Sequence, residues 1–274
     1  MNTEDILVEA NKGAESFLKR QPFLITFHSA NEMEYVNKIL SESNNLPQFY
    51  MGRRLEYAFE VDYFWMETNG KMSGFFGHTL HTWEYWTPRK AKKILKMHNG
   101  KTNANNFLKR NGLLLPEWLF SRLGKTKLVI EIKSGVGSQE KALDELVRMV
   151  KKYNLDNNII FLSFSAKPLE YLKEKLQNAI TILIFLQNPF RKPLFRKKKL
   201  PIIDILDTRS KRSENGIMKQ IKEAAAAEKY FMGGMVKTKE QLDWLIMYGA
   251  RGAIIWKSPE TIKQWLLTST DKQR

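Results

Sequence analysis

Short runs of β-forming apolar residues alternate along this chain with segments whose apolar positions recur at helical spacing. Residues 23–30 (FLITFHSA), opened by Pro22, read as a first strand, with Asn31 capping a helix over 32–43. A second strand is predicted over 55–64 (LEYAFEVDYF) and a third over 72–78, entered through the Asn69-Gly70 turn. Residues 79–124 are less regular, with helical stretches at 88–98 and 116–123. The run 127–133 (KLVIEIK) is an emphatic strand. The helix after it carries Leu143, Leu146, Val147 and Val150 as an apolar stripe on a charged surface. Strands follow at 159–165, 179–187 and 202–206, with a helix over 168–177. The last third repeats the rhythm: helix 216–229, strand 230–236, helix 239–248, strand 252–257, helix 259–267.

Over 274 residues this alternation predicts a single (β/α)8 TIM barrel, with a doubly wound open sheet as its rival. No linker-like stretch interrupts the rhythm, so residues 1–274 read as one domain, the barrel occupying 22–268. The 43% hydrophobic and 27% charged residues place the chain among globular proteins and exclude disorder. The absence of cysteine removes disulfides, thiolate zinc sites and cysteine nucleophiles. Residues 1–20 do not read as a signal peptide, and the longest apolar run, 179–186, is too short to span a membrane. The expected location is the cytoplasm, with peripheral contact at a membrane. A net charge of +16 draws the chain to polyanions, whether nucleic acid, anionic membrane or phosphorylated substrates.

The candidate chemistry sits at strand ends. Glu60 and Asp62 lie two apart on the second strand, so alternation points both to one face; Glu131 and Lys133 share a face in the same way. His28 ends the first strand and His78 the third. Acids inside apolar strands are costly to bury without a purpose. In a parallel barrel all of these residues converge on the carboxyl-terminal rim. Three carboxylates there repel one another unless a cation sits between them, and their hard oxygens suit Mg²⁺ or Ca²⁺. Two flanking histidines can serve as general base and general acid, and a lysine suits a phosphate oxygen. The inventory describes metal-assisted phosphoryl transfer.

The order of these motifs resembles the glycerophosphodiester phosphodiesterase family, a branch of the phospholipase C-like phosphodiesterase barrels. The likeness runs from Phe23 to Trp265 and includes LPEWLFSRLGKTKLVIEIKSG (115–135), FLSFS (161–165) and the closing unit 235–260. It implies Glu60, Asp62 and Glu131 as metal ligands, His28 and His78 as the acid–base pair, and Lys133 facing the phosphate. The implied reaction hydrolyses a glycerophosphodiester to an alcohol and glycerol 3-phosphate; related barrels act on lysophospholipids. The chain departs from the family in carrying Ser29 where Arg binds phosphate and Thr79 where Asp follows the second histidine. Gly234-Met235-Val236 replaces a Trp-Thr-Val. The spacing from Gly70 to His78 is longer than the family's, which makes His81 a rival for His78. Arg53 or Arg54 would supply the missing positive charge, and Trp83, within HTWEYW, would line the substrate pocket or a lid.

The loop 188–200 gathers Arg191, Lys192, Arg196, Lys197, Lys198 and Lys199 around Leu194 and Phe195, the composition of a contact with anionic lipid or another polyanion. Two other functions fit parts of the pattern. Glu-Ile-Lys preceded by an acid is also the metal-binding signature of PD-(D/E)xK nucleases, whose DNA substrate would suit the positive charge. A barrel that kept the fold and lost the chemistry would bind anionic membrane without turnover.

Overall fold

The computed structural model describes residues 22–28, 30, 33–68, 70–77, 114–124, 126–135, 137–185, 205–208, 213–226 and 229–268. In chain order the first elements are β1 (Phe23–Phe27), α1 (Met33–Glu42), β2 (Phe49–Tyr50), β3 (Arg53–Thr68), β4 (Lys71–Phe76) and α2 (Pro116–Phe120). There follow β5 (Lys127–Ile132), α3 (Gln139–Lys152), β6 (Ile159–Ser163), α4 (Ala166–Lys175) and β7 (Ile180–Phe185). The last are β8 (Ile205–Thr208), α5 (Glu214–Ala226), β9 (Tyr230–Val236), α6 (Lys239–Met247), β10 (Gly252–Ile255) and α7 (Pro259–Leu267).

The strands hydrogen-bond in the order β1-β10-β9-β8-β7-β6-β5-β3, and β1 also pairs with β3. The pairings β1–β10, β10–β9, β9–β8, β8–β7 and β5–β6 are parallel. This is the (β/α)8 barrel the alternation predicts, not the open doubly wound sheet.

The chain divides into two compact units. The first takes the described parts of Met1–His28, Asn45–Ala58 and Ile182–Arg274. Its core is built on β1, every residue of which is buried, with Phe231, Met232, Val236 and Ala253–Ile255 from β9 and β10. The second takes those of Ser29–Asn44 and Phe59–Thr181, and packs Phe59, Val61, Tyr63, Phe75, Phe76, Leu128, Ile130 and Phe161. Each such side chain fully withdrawn from water contributes about 1.5–3 kcal/mol.

Local chemistry explains the helices. The predicted stripe of Leu143, Leu146, Val147 and Val150 is buried on α3. Hydroxyls of Ser138, Thr238 and Ser258 accept backbone N–H groups at the starts of α3, α6 and α7, which satisfies donors the helix cannot pair itself. No helix among the described residues is long and apolar enough to cross a membrane.

The run predicted as a third barrel strand behaves differently. β4 pairs antiparallel with β3, from Tyr63↔Phe76 to Thr68↔Lys71, so it is the arm of a hairpin. Gly70, at φ 74°, makes the turn. The strand predicted over 55–64 therefore extends at both ends, to Arg53 and to Thr68, because the hairpin gives its last residues a partner. Asn31, the helix predicted over 88–98 and the loop 188–200 lie outside the described residues.

Candidate metal centre and active site

The second unit brings together the acids that the sequence spaces seventy positions apart. In β3 the large apolar residues Phe59, Val61 and Tyr63 occupy one set of alternate positions, which leaves Glu60 and Asp62 on the opposite face. In β5, Leu128, Ile130 and Ile132 do the same for Glu131. The amide of Lys133 donates to the Tyr63 carbonyl at 3.1 Å, which ties the end of β5 to β3. Glu60, Asp62 and Glu131 are 1%, 2% and 0% exposed, and one carboxylate oxygen from each lies within 4.8 Å of the others.

Lys133 closes one side of the trio. Its ammonium donates to Glu131 and lies 3.1 Å from Asp62 Oδ1. The Phe164 ring, itself 43% exposed, sits 5.9 Å from the same nitrogen. Burial, then the Glu60 carboxylate, pushes Glu131 well above the ordinary carboxylate range, with Lys133 pulling the other way. For Lys133, burial acts to lower the pKa, but Asp62 and Glu131 outweigh it and raise the net value.

With all four groups ionised, three negative charges face one positive charge, and a divalent cation would balance the remainder. Hard carboxylate oxygens with no sulfur among them suit Mg²⁺ or Ca²⁺. The donor set therefore fits such an ion.

Backbone contacts hold the site's neighbours in place. Ala30 N donates to the Glu60 carbonyl at 2.8 Å, and Gly77 N to the Asp62 carbonyl at 3.1 Å. The chain immediately ahead of His78 is thus anchored beside Asp62. Beyond β5 the backbone passes close over β3: a Cβ on Gly135 would stand 2.2 Å from the Trp65 carbonyl oxygen. Glu67 then receives Lys141 Nζ at 3.3 Å and Ser138 N at 3.4 Å. A cavity of ≈ 150 Å³ lined by Tyr63, Gly74, Glu117, Glu145 and Arg148 includes none of the trio.

In the first unit, His28 stands in the turn just past β1. Its amide donates to the Ile255 carbonyl at 3.0 Å, and its ring meets Trp256 edge-on at 5.3 Å. Trp256, directly after β10, is 56% exposed. Arg53 and Arg54 are not at a carboxyl-terminal strand end; they open β3. Arg53 is buried, donates to the Ala250 carbonyl at 2.6 Å and lies over the Phe23 ring. Arg54 is exposed and paired with Glu56 at 2.8 Å. Both arginines stand at the strand end opposite the one where barrel sites form. Ser29, His78, His81 and Trp83 lie outside the described residues, as do Arg191, Lys192, Phe195, Arg196, Lys197, Lys198 and Lys199.

Phe164, within FLSFS, and Trp256, within the predicted strand 252–257, were not among the site residues expected from the sequence. Both directly follow a barrel strand, which is the only local signal they carry; their exposure is a property of the folded chain.

Solved structures that share this barrel fold include several glycerophosphodiester phosphodiesterases. A glycerophosphodiester phosphodiesterase from Parabacteroides distasonis superposes with a TM-score of 0.61 at 14% identity, over 91% of this chain and 99% of its own. A phosphodiesterase from Oleispira antarctica, solved with the product sn-glycerol-3-phosphate, gives 0.56 at 13% identity over 94% and 99%. A glycerophosphodiester phosphodiesterase from Agrobacterium tumefaciens gives 0.56 at 10% identity over 89% and 100%. No family model matches the sequence, and no curated protein matches it either. The chain therefore shares the fold of these enzymes. Glu131-Ile132-Lys133 belongs to a barrel strand and its following residue, which is not the setting of a PD-(D/E)xK nuclease.

Proposed function

We propose that this chain is a divergent glycerophosphodiester phosphodiesterase, which hydrolyses a glycerophosphodiester, or the head-group ester of a lysophospholipid, with a divalent cation. The reading rests on the buried trio of Glu60, Asp62 and Glu131, set in a barrel whose structural neighbours carry that activity.

The trio would hold Mg²⁺ or Ca²⁺, whose positive charge opposes the charge that builds on the phosphoryl oxygens. Lys133 sits beside the trio and binds a phosphate oxygen, its ammonium already held in place by Glu131 and Asp62. His28 and His78 divide the proton transfers. One takes a proton from water as the new O–P bond forms; the other gives a proton to the alcohol oxygen as its P–O bond breaks. Burial of the acids keeps bulk water from screening these charges.

The test is release of glycerol 3-phosphate from glycerophosphocholine and glycerophosphoethanolamine with Mg²⁺, with Ca²⁺ and with EDTA. Lysophospholipid and single-stranded and duplex DNA are run alongside. Metal-dependent release from a diester or lysolipid is expected. Cleavage of DNA alone would overturn the reading, and silence on every substrate would leave a barrel that has lost its chemistry.

A further inference from the structure

Trp256 stands in the first unit at a place to which the phosphodiesterase reading gives no task. β1 and β10 run parallel, with Thr26 beside Ile254 and Phe27 beside Ile255. The His28 amide, donating to the Ile255 carbonyl at 3.0 Å, carries that pairing one residue further. Residues paired in this way turn their side chains to one face of the sheet, so the indole of Trp256 meets the imidazole of His28, edge-on at 5.3 Å. The backbone around the indole is held on both sides. The Trp256 amide donates to the Val236 carbonyl at 3.2 Å, and two residues further on the Ser258 hydroxyl accepts Thr261 N at the start of α7.

Other large apolar side chains are exposed, but most lie on helices or about the β2–β3 turn, where single exposure is ordinary. Trp256 is 56% exposed at the carboxyl end of a barrel strand, in contact with a proposed proton-transfer group. His28 would move a proton at an oxygen bonded to phosphorus, so a ring beside it is placed to meet the organic part of the diester. An indole holds either a cation over its face or hydrocarbon. Lys257 directly follows Trp256, Lys237 directly follows Val236, and both are exposed. Ammonium groups so near in the fold disfavour a further cation on the ring, whereas hydrocarbon has no charge to repel. A fully deacylated diester would leave the indole in water, and a hydrocarbon chain would cover it.

We propose that Trp256 is a specificity-determining residue that packs against an acyl chain, so that the preferred substrates are phosphodiesters carrying one such chain, as lysophospholipids do. The inference rests on the phosphodiesterase reading for the role of His28.

The test measures binding in EDTA, where no metal-dependent turnover consumes the ligand, on the full-length protein. Lauroyl lysophosphatidylcholine, kept below its micelle concentration, and glycerophosphocholine are titrated by calorimetry; the two differ only in the acyl chain. The lysolipid is expected to bind at least about tenfold more tightly, and Trp256→Ala to remove most of that advantage, since the apolar area it covers is lost. Trp256→Leu keeps an apolar side chain and should retain part of it. With metal present, Trp256→Ala should lower the ratio of kcat/KM for the lysolipid over the deacylated diester. Equal binding of the two ligands by the parent, or an undiminished advantage in Trp256→Ala, would overturn the proposal even if metal-dependent hydrolysis were found. An equal loss of glycerophosphocholine binding would put the choline cation on the ring and overturn it as well. An acyl advantage that depends on Trp256 in a protein silent on every diester would support the acyl contact and count against the reaction.

Discussion

In the first unit, Lys239 Nζ donates to Asp243 Oδ2 at 2.6 Å and to the Tyr50 hydroxyl at 2.8 Å, and that hydroxyl donates to Asp243 Oδ1 at 2.8 Å. In the second unit, three buried carboxylates gather together, and two of them, Asp62 and Glu131, pair with the ammonium of Lys133. The first cluster balances one cation with one anion and uses a neutral hydroxyl to close a ring; it fastens the β2–β3 turn to α6. Among the described residues, the second sets three carboxylates beside one ammonium, in a place where burial makes unbalanced charge costly. A cluster that serves only to join two elements can balance its charges with its own side chains. One built for a ligand keeps an imbalance that the ligand removes.

Mutations at the two clusters should therefore separate turnover from stability. The largest effect is expected from Glu131→Gln, which should lower metal-dependent kcat/KM on the order of 10³-fold, the loss of several kcal/mol of transition-state stabilisation. The same variant should melt no lower than the parent in EDTA, since it relieves repulsion from Glu60 and Asp62; a large drop would make the trio a structural element like the Lys239 ring. His28→Ala should cost about 10²–10⁴-fold in turnover, while metal still raises its melting temperature, as calorimetry with and without Mg²⁺ or Ca²⁺ would read. For the parent chain, saturating metal should stabilise the fold by about 2–3 kcal/mol, and Glu60→Ala should abolish that shift. The smallest effect belongs to Tyr50→Phe. It opens the ring in the first unit and should cost about 1 kcal/mol in denaturant unfolding, with turnover unchanged. If Tyr50→Phe instead altered turnover, the division between fastening and function would fail.

The legible part of the site was the part written at short range. Alternation within FEVDYF and VIEIK places Glu60, Asp62 and Glu131 on faces opposite large apolar residues, and those faces are where the structure holds the trio. Period-two alternation says nothing about the direction of the neighbouring strand, which is why 72–78 read as a barrel strand and proved to be the antiparallel arm β4. The Asn69-Gly70 turn was the available clue, because a two-residue turn of that kind joins antiparallel strands. Arg53 shows a different limit. Nothing near it in sequence announces that its partner is the Ala250 carbonyl, 197 positions away. The Lys239 ring was invisible for the same reason, with Tyr50 and Asp243 separated by 193 positions.

Gly135 bears on how this barrel can be altered. The backbone there passes so near the Trp65 carbonyl that a single added carbon would have to push one segment away from the other. Lys133 is two residues upstream, so the segment that would yield is the one that carries the ammonium to the carboxylates. A methyl group at 135 is thus a mechanical lever on the site: Gly135→Ala would shift a charge without deleting one. Any redesign that keeps the trio working has to leave this crossing bare and draw its new contacts from other strand ends, where Phe164 and Trp256 already stand open to solvent.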